Sequence, residues 1–173
     1  MRRWPVPVIA LVLLLSACGF QLRGAYPLPF YKLYINLPER SELHALLKRS
    51  IAAGSNARIV SAQQDAQAML LVLSDVPTKD ILSLSATARA REYQLVRSFT
   101  FRVVDAQGRD WLPQNQIVIR RDISFSDDLV LSKESEEALL WRDIQSDLVQ
   151  QILRRLAAAR PPGASEIPEA ARG

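Results

Sequence analysis

Residues 133–160, KESEEALLWRDIQSDLVQQILRRLAAAR, decide the fold of this chain because they specify one long amphipathic helix. Its apolar side chains recur every four residues and form a single stripe, which consists of Leu140, Ile144, Leu148, Ile152 and Leu156. Glutamates lie in its first turns and arginines near its end, the order that complements the helix dipole. At about 1.5 Å per residue the helix would reach roughly 40 Å. We therefore expect it to lie across a whole sheet.

Three stretches upstream of this helix alternate between apolar and polar residues, as strands do. The first is long and bent: it covers Met69 to Val76 and Ile81 to Ala88, with Pro77 between them at a bulge or an edge. The second runs from Arg91 to Val104, and the third from about Gln114 to Ser126. Because short turns join them, we expect antiparallel pairing.

A further strand and helix precede these stretches. Alternation predicts a strand over Tyr31 to Leu37, ended by Pro38, and then a helix with Ser41 as its N-cap and Gly54 as its end. The order β-α-β-β-β-α predicts an α/β (α+β) fold. We expect a two-layer sandwich in which two helices pack on one face of a four-stranded, mostly antiparallel mixed sheet.

The composition is that of one globular domain. The chain has 173 residues, of which 49% are hydrophobic and 23% charged. Its net charge of +4 is too small to indicate a nucleic-acid-binding protein. The single Cys and single His argue against an internal disulfide, a metal site and Cys–His catalysis.

Motifs for catalysis are absent from the sequence. It contains no G-x-S-x-G, no Walker-type glycine loop and no H-E-x-x-H. His44 falls in the first helix, where we expect an exposed or boundary residue, and Asp127 and Asp128 are expected in a solvated turn. We therefore expect no enzymatic activity, no metal and no cofactor. A small hydrolase would require a pocket around His44.

The N-terminus has the three regions of a secretory signal. Arg2 and Arg3 precede an apolar run over residues 8–15, which is too short to span a bilayer. Residues 15–18, Leu-Ser-Ala-Cys, resemble the bacterial lipobox. Cleavage there would make Cys18 the first residue, carrying an S-diacylglycerol and an N-acyl group such as palmitate. An ordinary signal peptide with a nearby Cys is the alternative.

A lipobox determines the expected domain organisation and location. We expect a signal peptide over residues 1–17, a lipidated tether over 18–30, a single domain over 31–160 and a disordered tail over 161–173. Three acyl chains on Cys18 would make membrane attachment effectively permanent. Gly19 stands where an Asp would indicate retention in the inner membrane, so we expect the cell outer membrane.

Five basic residues are candidates for binding phosphate. Arg89 and Arg91 flank the turn between the strand predicted over 69–88 and the strand predicted over 91–104. Arg120 and Arg121 lie in the strand predicted over 114–126, and Lys133 begins the last helix. Arg121 shares the apolar face of its strand, which indicates a position near an edge. Arginine binds phosphate with two parallel hydrogen bonds, and an outer-membrane lipoprotein meets the phosphorylated sugars of lipopolysaccharide. Solvated surface is the alternative interpretation for each residue.

Three short motifs together resemble a known family. They are CGFQLRG at 18–24, EYQL at 92–95 and LSKE at 131–134. In their order and spacing they resemble the lipopolysaccharide-assembly lipoprotein family, LptE, over nearly all of the mature chain up to about Arg160. The resemblance implies two helices on a four-stranded sheet. It also implies a plug inside a large outer-membrane β-barrel, LptD, and that the two proteins together insert lipopolysaccharide into the outer leaflet.

The resemblance also implies where lipopolysaccharide binds. Basic residues near a hairpin and at the start of the last helix contact it in such proteins. Lys133 matches the second position, whereas Ala86 stands at the first, with Arg89 and Arg91 a few residues further on. The protein would lie on the periplasmic side of the membrane and within the barrel lumen. The alternative function is an envelope scaffold lipoprotein that binds only proteins and has no lipid ligand.

Overall fold

The computed structural model describes residues 26–125 and 130–163. Strands β1 (Lys32–Ile35), β2 (Arg58–Ile59), β3 (Ala68–Leu84), β4 (Ala90–Val104) and β5 (Asp110–Ser124), helices α1 (Glu42–Gly54) and α2 (Val130–Ala157), and a 3-10 turn (Gln63–Asp65) make up the fold. Cys18, the predicted signal peptide, most of the predicted tether, Asp127 and Asp128, and residues 164–173 lie outside the described residues.

The strands form one mixed sheet in the order β2-β1-β3-β4-β5. β1 pairs in parallel with β2 and β3, whereas β3, β4 and β5 pair antiparallel. The predicted class and element order are confirmed, but the count of four strands is wrong. The fifth strand, β2, has two residues, Arg58 and Ile59, too few to produce an alternating pattern.

Helix α2 is the long helix that the sequence predicts. It begins at Val130, three residues before Lys133, and ends at Ala157. The stripe is confirmed: its last four members are fully buried, namely Ile144, Leu148, Ile152 and Leu156. Just beyond the helix, the backbone N–H of Arg160 donates to the carbonyl of Trp111 at the start of β5 over 3.1 Å. At its other end, Lys133 reaches Ser124 at the end of β5, so α2 follows the whole strand.

Helix α1 is confirmed with its cap. The Ser41 hydroxyl accepts a hydrogen bond from the backbone N–H of His44 over 3.2 Å. His44 itself is only 6% exposed, so the expectation of an exposed or boundary position is wrong. Because α1 contacts both β2 and α2, these elements bury more of the helix surface than its apolar stripe alone.

The core lies between the sheet and the two helices and also takes in the segment before β1. Leu28 and Phe30, which the sequence places in the tether, are buried there. The Phe30 ring meets Trp111 edge to face at 5.6 Å between centroids. The folded unit therefore begins before residue 31 and includes Tyr26, the first described residue, whose N–H donates to the Gly54 carbonyl.

Strand β3 is an edge strand for most of its length. β1 pairs with Ala68–Leu70 only, so from Leu71 onward no strand among the described residues covers its second side. Pro77 stays opposite Arg97, and the register with β4 shifts at Leu73 and near Leu82 instead. Of the two predicted settings for Pro77, the edge is therefore confirmed and the bulge is not.

The turn between β4 and β5 is held by one carboxylate. Asp105 accepts hydrogen bonds from the N–H groups of Gln107 and Arg109 at 2.9 Å and from the Arg109 guanidinium at 2.7 Å. Burial alone would raise the pKa of Asp105, but these hydrogen bonds outweigh it and hold the pKa below its usual value. Gly108 adopts a φ of +81°, which favours glycine.

Truncation of a buried leucine in α2 should be costly. Leu148→Ala should lower the free energy of unfolding by about 2–5 kcal/mol, because it removes buried methylenes and leaves a cavity. Leu139→Ala, the same truncation at an exposed position of the same helix, should change it by less than about 0.5 kcal/mol. Chemical denaturation followed by circular dichroism measures both. Equal costs would contradict the proposed packing of α2.

Candidate functional site

One end of the sheet brings together residues from four parts of the chain. We call it the tip: it comprises the β3–β4 turn, the start of β4, the end of β5 and the first turns of α2. The N–H of Phe125 donates to the Arg91 carbonyl over 2.7 Å, which ties the chain after β5 to β4. A cavity of about 370 Å³ opens there, lined by Ser83, Leu84, Arg91, Glu92, Ser124 and Phe125.

The β3–β4 turn is a tight, internally bonded loop. The N–H of Ser85 donates to the Arg89 carbonyl over 2.7 Å, and the Ser85 hydroxyl accepts from the N–H of Arg89 over 3.1 Å. Ala88 takes the left-handed conformation with a φ of 58°, unusual for a residue with a Cβ. The turn therefore carries Arg89 on a constrained backbone, two residues before Arg91.

Lys133 is the most enclosed cation of the tip. Its side chain is only 16% exposed, and its ammonium lies 2.8 Å from the Glu136 carboxylate. It also donates to the Ser124 hydroxyl over 3.2 Å. Lys133 is therefore aimed at the end of β5, with a carboxylate that neutralises it one helical turn away.

Arg91 has a different environment. It is exposed and lines the cavity, and its guanidinium has no partner among the described residues. Its neighbour Glu92 accepts a hydrogen bond from the Ser83 hydroxyl over 2.7 Å. The cavity therefore holds one unpaired cation, one carboxylate and the hydroxyls of Ser83 and Ser124.

Tyr93, Phe125 and the Lys79 ammonium lie together next to the tip. Tyr93 and Phe125 meet edge to face at 5.8 Å between centroids. The Lys79 ammonium lies 4.4 Å from the centre of the Tyr93 ring and 2.6 Å from the Glu137 carboxylate. These contacts join β3, β4, the end of β5 and α2.

The two adjacent arginines of β5 lie on opposite faces of the sheet. Arg121 lies on the helix side, where its guanidinium contacts Asp143 at 2.8 Å and Asp147 at 3.3 Å. The hydrogen bond to Asp143 raises the pKa of Arg121, against the opposing effect of burial. Arg120 lies on the other face of the sheet and is exposed. Of the five predicted residues, Arg91 thus lines the cavity, Lys133 donates to the cavity residue Ser124, and Arg89 lies in the adjoining turn.

Sequence reasoning missed Arg97. It lies between Leu95 and Phe99 on the core face of β4, and its side chain is 12% exposed. It makes two hydrogen bonds to Asp75, at 2.8 and 2.7 Å, and a third to Gln145 in α2 at 2.9 Å. A charged residue in an otherwise apolar register, as at Arg121, is the signal that indicates such a buried ion pair.

The described part of the chain holds neither a metal-binding cluster nor a membrane-spanning helix. Within residues 26–125 and 130–163, no group of three His, Cys, Asp or Glu side chains is placed to hold a metal ion. No helix in those ranges is both long enough and apolar enough to cross a membrane.

Comparison with known proteins identifies similar sequences. The family model LptE, described as lipopolysaccharide-assembly, matches residues 30–156. The LPS-assembly lipoprotein LptE of Pectobacterium atrosepticum is 29% identical over 152 residues, which cover 84% of this chain and 79% of the relative. Its counterpart from Yersinia enterocolitica is 30% identical over 152 residues, covering 84% and 70%.

Solved structures are similar as well. Lipoprotein B from Nitrosomonas europaea superposes with a TM-score of 0.70 at 35% identity, over 81% of this chain and 91% of that one. The rare lipoprotein B from Shewanella oneidensis gives a TM-score of 0.62 at 27% identity, over 73% and 94%.

The two β5 arginines should differ in their effect on stability. Arg121→Gln should lower the free energy of unfolding by about 1 kcal/mol, because it leaves Asp143 and Asp147 without their shared cation. The cost should shrink in 1 M salt, where the Debye length is about 3 Å. Arg120→Gln removes the same charge one residue away and should change stability by less than about 0.5 kcal/mol. Chemical denaturation at low and high salt tests this, and equal effects would contradict the assigned role of Arg121.

Proposed function

The chain belongs to the LptE lipopolysaccharide-assembly family, and from that premise we propose a lipid-anchored, non-enzymatic protein of the outer membrane. Its tip binds lipopolysaccharide, and its folded domain plugs the LptD β-barrel, with which it inserts lipopolysaccharide into the outer leaflet. The observation that carries the proposal is the convergence of Arg91 and Lys133 on one end of the sheet.

The tip has the chemistry that a phosphate requires. Arg91 can offer two parallel N–H donors, and Lys133 adds a point charge from a largely enclosed position. The Ser124 hydroxyl accepts from Lys133 and can donate a further hydrogen bond, whereas the Ser83 hydroxyl already donates to Glu92. Arg89, in the constrained turn, extends the cationic surface beyond the cavity. Arg121 is paired with Asp143 and Asp147, and Arg120 lies on the other face of the sheet, so we assign the phosphate contact to the other three.

Phosphate binding would compete with a bond inside the protein. Glu136 holds Lys133 at 2.8 Å, so a phosphate that binds Lys133 must displace or outweigh that carboxylate. Glu136 therefore lowers the affinity for any anion and limits binding to ligands with strong, multiple negative charge. Lipid A, with its phosphorylated sugars, is such a ligand.

The uncovered face of the sheet supports the plug. On β4, Leu95, Phe99 and Phe101 face the helices, so the residues that alternate with them, such as Gln94 and Ser98, face the other side. That side carries polar pairs, in which Gln116 donates to Ser98 over 2.8 Å and Gln94 donates to Asp122 over 2.9 Å, beside the exposed side chains of Val76 and Val118. Barrel lumens are polar, so the polar pairs of this face suit contact with one.

The first described residue, Tyr26, and the tip lie at opposite ends of the domain. Tyr26, the first described residue, donates from its hydroxyl to Gln150 in the second half of α2 over 3.0 Å. Seventeen residues of helix separate Gln150 from Lys133, or about 26 Å. A chain lipidated at Cys18 would therefore hold the tip away from the leaflet in which its acyl chains are buried.

Charge changes at the tip should alter lipopolysaccharide binding in opposite directions. Lys133→Gln and Arg91→Gln should each weaken it by about tenfold, since each removes a charged donor to phosphate. Glu136→Gln should strengthen it, because Lys133 loses its internal partner. Glu134→Gln removes the same charge from the same helix without touching Lys133 and should have less effect. Equilibrium binding of purified lipopolysaccharide at low salt measures all four.

Two results of that experiment would contradict the cationic tip. One is wild-type affinity in both Lys133→Gln and Arg91→Gln. The other is an equal gain in affinity in Glu136→Gln and Glu134→Gln. That result would indicate a general electrostatic effect of the lost charge rather than the loss of the Lys133–Glu136 contact. Arg120→Gln, on the other face, serves as the control for loss of one positive charge.

The plug should be recovered with its barrel. The full chain, expressed with its own signal in its native membrane and extracted in mild detergent, should co-purify stoichiometrically with a large β-barrel protein identified by mass spectrometry. Cys18→Ala should abolish acylation. Recovery alone or with periplasmic proteins only, and without affinity for lipopolysaccharide, would favour the envelope scaffold instead.

A further inference from the structure

Three aliphatic side chains on the free edge of β3 remain exposed beside the tip. Ile81, Leu82 and Leu84 are 58%, 51% and 56% exposed and occupy three of four consecutive positions. We call them the edge patch. A single exposed leucine on a surface is ordinary, whereas a contiguous apolar cluster indicates a binding surface.

The edge patch is continuous with the cationic tip. Leu84 lines the same cavity as Arg91. Ile81 lies opposite Tyr93 in the sheet, and the Tyr93 ring in turn contacts Phe125 and the Lys79 ammonium. The edge patch therefore adjoins the cavity at Leu84 and the Tyr93 ring at Ile81.

A protein strand is a poor fit for this edge. A strand that pairs with β3 needs an uninterrupted row of backbone donors and acceptors. The register is broken at Leu73 and near Leu82, and Pro77 between them has no N–H to donate. The backbone thus resists strand addition, while the side chains of the edge patch remain available to a ligand that needs no backbone pairing.

We propose that the edge patch binds an acyl chain of the same lipopolysaccharide molecule whose phosphate binds Arg91 and Lys133. The inference rests on the proposed function and adds a second, apolar subsite to it. Cations next to exposed aliphatic side chains complement an amphiphile in which a phosphorylated headgroup carries alkyl chains. In a polar lumen, contact between an acyl chain and these side chains removes apolar surface of both from water, which favours binding.

The test compares two pairs of aliphatic residues on one strand with two forms of one ligand. Leu82→Thr/Leu84→Thr, the edge variant, replaces two of the three side chains of the edge patch with residues that favour strands. Leu73→Thr/Val76→Thr is the matched control, because those side chains are 51% and 47% exposed on the same edge. Leu73 and Val76 lie roughly 30 and 20 Å from Leu82, respectively, at about 3.3 Å per residue. The ligands are purified lipopolysaccharide and the same material freed of its acyl chains by alkaline hydrolysis.

The edge variant should bind intact lipopolysaccharide about tenfold more weakly than wild type and the deacylated form with unchanged affinity, since only the apolar contact is lost. The control variant should match wild type with both ligands. Thermal unfolding by circular dichroism checks that each variant is folded, and Ile81→Thr alone provides a milder second variant whose loss should be smaller but also confined to the acylated ligand.

Three results would overturn the inference. One is wild-type affinity of the edge variant for intact lipopolysaccharide. Another is equal affinity of the wild-type protein for the intact and deacylated ligands. The third is loss of the barrel partner on co-purification with lipopolysaccharide affinity retained, which would make the edge patch a protein interface. Failure of the cationic tip is distinguishable, because Lys133→Gln would then bind both ligands normally while the edge variant still lost the acylated one.

Discussion

Burial of the α2 stripe against the sheet is the constraint on which the rest of the structure depends. Ile144, Leu148, Ile152 and Leu156 are completely enclosed, and each buried aliphatic side chain of this size contributes about 1.5–3 kcal/mol relative to exposure. The helix can bury this stripe only if it lies along the whole length of β5. Once its second half is packed in the core, its first half must extend over the end of the sheet, which is where Lys133 meets Ser124.

The first half of α2 is held mainly by charge. Three basic residues of the sheet reach polar groups of the helix: Lys79 contacts Glu137, Arg97 contacts Gln145, and Arg121 contacts Asp143 and Asp147. Partly exposed ion pairs contribute little individually, typically about 0–1 kcal/mol, so their value here is in orientation more than in stability. Each strand from β3 to β5 supplies one contact. The tip is therefore positioned by all three long strands, and a change in any of them can move Lys133 relative to Arg91.

The N-terminal end of the described chain and the proposed phosphate-binding residues lie at different ends of α2. The chain enters the domain at Tyr26, beside the second half of α2, and the phosphate-binding residues that we propose lie at the other end of that helix. The uncovered sheet face between them carries the polar pairs Gln94–Asp122 and Gln116–Ser98, and the edge patch lies on β3 beside the tip. The surfaces that we propose for the barrel wall and for lipopolysaccharide thus occupy different parts of the described domain.

Periodicity and local chemistry determined the secondary structure: the four-residue stripe of α2, the Ser41 cap and the alternation of β4 are all properties of neighbours in the chain. The sequence also located Lys133 at a helix start, because capping and dipole signals are local. Only the tertiary structure decided that Lys133 reaches Ser124, that Arg121 pairs with α2 whereas Arg120 does not, and that His44 is buried. Register and packing set these contacts between residues far apart in sequence, and a one-residue shift in register would exchange the roles of the two arginines.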